Sequence, residues 1–149
     1  MVINRQKRVR VASAPLESFL NRVLKTVRMP ADAATVCLVN DAQMARWNRA
    51  YRGKPKATDV LSFPANGTSR GKKRLPLANG AAHKSYLGDI AIAPAVAKRN
   101  ARALGRNLDE ELRVLILHGV LHLLGYDHET DNGQMERFEL KLRARLGLR

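Results

Sequence analysis

One segment constrains this chain more than any other: HGVLHLLGYDH, from His118 to His128. Leu112, Leu115, Ile116, Val120 and Leu123 recur at helical spacing through it, and Gly125 breaks the pattern. A helix is therefore expected to run to Gly125, capped at its start by Asn107 or Asp109. On that helix His118 and His122 fall one turn apart, about 6 Å along the axis and on the same face. Tyr126 and Asp127 then turn the chain so that His128 can come back to the same point. A fold that suits this sequence must keep that helix face and that turn together.

Two imidazoles so placed can grip one cation, and a third neutral nitrogen leaves a fourth tetrahedral position open, as catalytic zinc sites do. A bare H-x3-H pair is more often a pair of ordinary helix residues. Here, a third histidine just past a helix-ending glycine changes the balance. His118 and His122 also lie among Leu, Ile and Val, where unpaired imidazoles are costly to bury. His118, His122 and His128 are thus read as ligands of one Zn²⁺ per chain, although three imidazoles also suit nickel, copper or iron. Such an ion lowers the pKa of bound water and polarises a carbonyl or phosphoryl oxygen. In the zinc-peptidase pattern H-E-x-x-H a glutamate follows the first histidine; here that residue is Gly119, which weakens a peptidase reading and allows close helix packing instead. Asp127 either orients a ligand histidine from behind or caps the turn.

Charge supplies the second constraint. The 149 residues carry a formal net charge of +14. The excess sits before residue 108, where 21 basic residues face 5 acidic ones. A polyanionic partner is expected, with RNA, DNA and an anionic membrane all possible on charge alone. No apolar run is long enough to span a bilayer, and the basic N-terminus lacks the apolar core of a secretion signal. The lone cysteine, Cys37, cannot form an internal disulfide and is read as a packing residue, in keeping with a reducing cytoplasmic setting. Aromatic residues are too few for an extensive base-stacking platform, so recognition should rest on backbone and shape.

Along the chain, Lys7 to Ala12 alternates like a half-buried strand, and a helix is expected from Ala14-Pro15 to Pro30. Strands are expected over Thr35 to Asn40, Thr58 to Pro64 and Leu87 to Ala93. Asp41 is read as the cap of a helix ending at Gly53, and Pro94 as the first residue of one ending at Gly105. A final helix covers Asp131 to Leu146, with Met135, Phe138, Leu142 and Leu146 inward. Ala65 to Ser85, polar and without hydrophobic period, reads as a mobile basic insertion. The order predicts a single α+β domain over residues 1–149: one mixed sheet of about four strands covered by about five helices. The metal site would lie on a C-terminal helix and the turn after it, and the helix between the first two strands permits a parallel, right-handed crossover there.

HGVLHLLGYDH, YRGKPKATDVLSFP (Tyr51 to Pro64) and LGDIAIA (Leu87 to Ala93) together resemble the YbeY family, from about Val36 to Gly147. The resemblance implies a zinc-dependent, single-strand-specific endoribonuclease of bacterial ribosomal RNA maturation. Its role would be in processing the 3′ end of the small-subunit 16S RNA and in ribosome quality control. It implies ribosomal RNA and the small ribosomal subunit as partners, with neither DNA nor membrane. It carries the zinc ligands onto His118, His122 and His128, and a functionally important arginine onto Arg52, in a basic stretch with Lys54 and Lys56. Arg52, Lys54 and Lys56 are accordingly read as RNA-contacting, and Arg52 with His118 as catalytic. A guanidinium fork suits a phosphate oxygen, although an arginine at a helix C-terminus is also favoured by the dipole alone. Two departures stand out. Ala57 replaces the family's usual proline, loosening the strand entry without removing a reactive group, and the insertion is longer and more basic than usual. The rival readings are a zinc peptidase-like hydrolase and a noncatalytic RNA-binding assembly factor.

Overall fold

The computed structural model describes residues 1–65, 86–127 and 131–148. The basic insertion, apart from Ala65, and His128 lie outside the described residues. The chain runs β1 (Val2–Asn4), α1 (Ser13–Thr26), β2 (Ala34–Leu38), α2 (Asp41–Arg52), β3 (Val60–Pro64), β4 (Gly88–Ile92), α3 (Pro94–Leu104), α4 (Leu108–Leu123) and α5 (Gln134–Leu146). The four strands form one sheet in the order β1-β2-β4-β3. β1 and β2 pair in parallel, as do β2 and β4, whereas β3 runs antiparallel to β4 at the edge. The sheet is mixed, as the order of elements predicts.

Layering follows from side-chain alternation. Ala34, Val36, Leu38, Ile90 and Ile92 point to one face, where they share a core with Phe19 and Leu20 of α1 and Ile116, Leu117 and Val120 of α4; Leu142 of α5, which packs on α4, joins the same core. Cys37, Val39, Leu61, Phe63, Ala91 and Ala93 point to the other, beneath Met44 and Trp47 of α2. Both central strands are buried along their whole length, including Thr35 of β2 and Asp89 of β4, which is why apolar residues dominate them. β3, at the edge, alternates buried and half-buried residues. Cys37 packs as expected and is fully enclosed; burial, more than its charged neighbours, pushes its thiol pKa up.

The first strand corrects the sequence reading. Lys7 to Ala12 is not a strand; β1 is Val2–Asn4, with Val2 opposite Val36 and Ile3 opposite Cys37. The Gln6 side chain explains the difference: its Nε2 donates to the Val9 carbonyl at 2.8 Å, and its Oε1 accepts the Val9 N–H at 2.9 Å. That pair of bonds curls residues 6–9 and buries Val9 without a neighbouring strand. α2 is likewise capped by Asn40, whose side chain accepts the Gln43 N–H at 2.8 Å, so Asp41 is the first helical residue. Asn107 caps α4 in the same way, through Glu110 N–H.

Where β3 ends and β4 begins, Pro64 stands opposite Gly88. Gly88 has φ +145°, and a Cβ there would meet the Phe63 carbonyl oxygen, the Ala65 nitrogen at 3.0 Å and Leu123 Cδ2 at 3.0 Å. The backbone of β3 and the end of α4 thus close on a residue without a side chain.

Candidate metal centre

α4 is apolar on almost every side, because it packs on the sheet, on α1 and on α3. Its two histidines lie on the remaining, half-buried side. His118 Nε2 and His122 Nε2 are 3.0 Å apart, and their ring planes cross at 74°. Helix spacing therefore converges the two nitrogens, as the sequence implies. Gly119, between them, faces inward: a Cβ there would lie 2.8 Å from Ile90 Cγ2 and 2.9 Å from its Cδ1. The helix thus approaches β4 more closely than any side chain at that position permits, and Ser62 of β3 donates to the Gly119 carbonyl at 3.3 Å.

The end of α4 turns back through a Schellman arrangement. Gly125, at φ +101°, donates to the His122 carbonyl at 3.0 Å, and Tyr126 N–H reaches the Leu121 carbonyl at 3.1 Å. Tyr126 then stacks on Phe138 of α5, with ring centroids 5.1 Å apart. Asp127 is half-buried in the turn, its carbonyl accepting the Asp131 N–H at 3.1 Å. His128 follows directly, outside the described residues. Among the described residues alone, no three His, Cys, Asp or Glu side chains are placed to hold one metal ion together.

Sequence reasoning missed one residue of this site. Glu139 of α5 places Oε1 2.8 Å from His118 Nδ1, while its Oε2 accepts from Arg143 Nη2 at 3.0 Å. Burial works to raise the Glu139 pKa, but the contact with His118 and the Arg143 guanidinium outweigh it and hold the carboxyl below its usual range. The signal was an acidic residue on the inward stripe of α5, between Met135 and Leu142.

The three basic residues expected to contact RNA lie at and after the end of α2, which packs on the other face of the sheet. Arg52 is the last residue of α2, exposed, and Lys54 and Lys56 follow it, also exposed. The stretch is held by Asn48, whose side-chain amide donates to the Lys56 carbonyl at 2.8 Å, and by Tyr51, whose ring meets Phe63 edge-on at 4.5 Å. α2 lies on the sheet face opposite α4, so β3 is the element between them: Phe63 supports Tyr51 on one side and Ser62 touches α4 on the other. Ala57 packs into the small core under α2. No helix among the described residues is long and apolar enough to cross a membrane.

A family model described as Endoribonuclease YbeY matches residues 1–147, extending the sequence resemblance over β1 and α1. A curated relative from Koribacter versatilis, named Endoribonuclease YbeY, is 43% identical over 99% of this chain and 86% of its own length. One of the same name from Aquifex aeolicus is 34% identical over 92% of this chain and 83% of its own. The solution structure of TM1509 from Thermotoga maritima superposes with a TM-score of 0.59 at 26% identity, covering 98% of this chain and 89% of that one. With its fold, its histidine helix and nearly its whole length matched, the chain belongs to the YbeY endoribonuclease family.

Proposed function

We propose that this protein is a cytoplasmic, metal-dependent endoribonuclease that trims ribosomal RNA on the small subunit, with Zn²⁺ held by His118, His122 and His128. The observation that carries the reading is the meeting of two imidazole Nε2 atoms at 3.0 Å, with a carboxylate behind one of them. That donor set fits zinc, which takes neutral imidazole nitrogens at about 2.0–2.1 Å. When bound, the ion supplies Lewis acidity toward a phosphoryl oxygen and toward water.

The chain's own residues supply binding and orientation. Arg52 offers a planar fork of donors to a phosphate oxygen, and Lys54 and Lys56 neutralise neighbouring phosphates. Exposed as they are, they can engage an RNA strand without rearranging the core. Gly119 stands where a zinc peptidase carries its glutamate base, and Ile90 occupies the space beside it, so the peptidase reading is not favoured.

Purified protein should contain about one equivalent of zinc and should cut single-stranded ribosomal RNA fragments. A chelator should abolish cutting and added zinc restore it; cleavage that persists in metal-free protein refutes the reading. A substrate with a single 2′-deoxy nucleotide at the cut site distinguishes attack by water from attack by the neighbouring 2′-hydroxyl. Continued cleavage excludes the second route. Arg52→Ala should slow cleavage about 10- to 100-fold, the worth of a charge-assisted contact of about 1.5–3 kcal/mol, and Arg52→Lys should recover little of it because the fork is lost. Thermal midpoints should stay at the wild-type value, since Arg52 is exposed.

A further inference from the structure

We infer that Glu139, clamped by Arg143, is a positioning residue that fixes the proton of His118 on Nδ1 and so presents Nε2 to the metal. The inference rests on the metal-binding reading above. A neutral imidazole has one N–H and one lone pair, and which nitrogen carries which is set by what the ring meets. Glu139 Oε1 lies 2.8 Å from Nδ1, and a carboxylate can only accept there. A proton kept on Nδ1 leaves the Nε2 lone pair directed at His122, 3.0 Å away, where a shared cation belongs.

The carboxylate is itself fixed. Its second oxygen takes the Arg143 guanidinium at 3.0 Å, one helical turn further along α5. The Glu139 side chain is only 14% exposed and the Arg143 side chain 17%. A charged residue on the inward stripe of an amphipathic helix is costly unless paired. Docking alone does not require one, because Met135, Leu142 and Leu146 already bury that stripe. What the carboxylate adds is a direction for one imidazole. Carboxylates behind metal-ligating histidines typically carry a 10- to 100-fold share of metal affinity.

The test compares the full chain with Glu139→Ala and Glu139→Gln. Zinc affinity is measured by competition with a chromogenic chelator, and the His118 tautomer by ¹⁵N NMR of the metal-free protein. Glu139→Ala should weaken zinc binding 10- to 100-fold and turn a pure Nδ1–H signature into a tautomer mixture. Glu139→Gln, which keeps shape and a carbonyl acceptor, should recover part of both. Wild-type affinity in either variant overturns the inference, as does an Nε2–H tautomer for His118 in the wild type. If Glu139→Ala does not fold, the isosteric Glu139→Gln decides alone. If the wild type itself binds no zinc, the metal reading fails, while the tautomer measurement still judges Glu139.

Discussion

His118→Ala should reduce RNA cleavage on the order of 10³-fold, corresponding to about 4 kcal/mol of transition-state stabilisation at 1.36 kcal/mol per decade. The substitution removes one metal ligand and leaves the apolar contacts of α4 in place, since His118 lies on its half-exposed side. Glu139 keeps Arg143 as a partner, so no lone charge is left buried. Folding, followed by circular dichroism, should therefore survive in the metal-free state, with the added stability that zinc confers on the wild type missing from the variant. RNA binding should persist, because the exposed Arg52, Lys54 and Lys56 are untouched. Lost cleavage with retained binding and fold excludes a noncatalytic assembly factor. Undiminished cleavage would remove His118 from the chemistry.

Gly88→Ala should be the most damaging single methyl in the sheet. A Cβ at this residue overlaps the Phe63 carbonyl and presses on Ala65 and Leu123, three groups belonging to β3, its exit and the end of α4. Two of them are backbone atoms, one in β3 and one just past it where Ala65 N–H bonds the Leu87 carbonyl, so relief requires the β3–β4 pairing to separate there. A loss of about 3 kcal/mol is expected, the upper part of the overpacking range, read as a lower urea midpoint at unchanged slope. Gly125→Ala is the control. It shares a positive φ but has nothing within 4 Å of the added carbon, and should lose only the left-handed penalty of about 1–2 kcal/mol. Equal losses in the two variants would mean that the close approach at Gly88 relaxes easily.

Much of this architecture can be read from the residues in order. Gly53, Gly105 and Gly125 mark helix ends, Pro94 opens α3, and the apolar stripe of α4 places both histidines on one side. These are local signals, set by backbone sterics and by a period of 3.6. What escaped depends on contacts between distant residues. β1 has three residues, too few for a period, and exists because Val2 and Ile3 meet Val36 and Cys37. The alternation in Lys7 to Ala12 was a weaker claim on the sheet than the bonds Gln6 makes to Val9. Asn40 and Asp41 are both good caps, and composition cannot rank neighbours that cap equally well. Glu139 meets His118 from 21 residues away, across two helices and a turn. No spacing rule within one helix anticipates that contact.

The bare α-carbon at Gly119 also limits what this scaffold can become. Peptide hydrolysis on a paired-histidine helix calls for an acid next to the first ligand, and here Ile90 already fills the volume such a group would need. Converting one chemistry to the other is therefore not a single-codon step: the sheet must first be carved back at Ile90, at the expense of the contact that seats the helix. Tight seating and narrow evolutionary reach are two results of the same missing methyl.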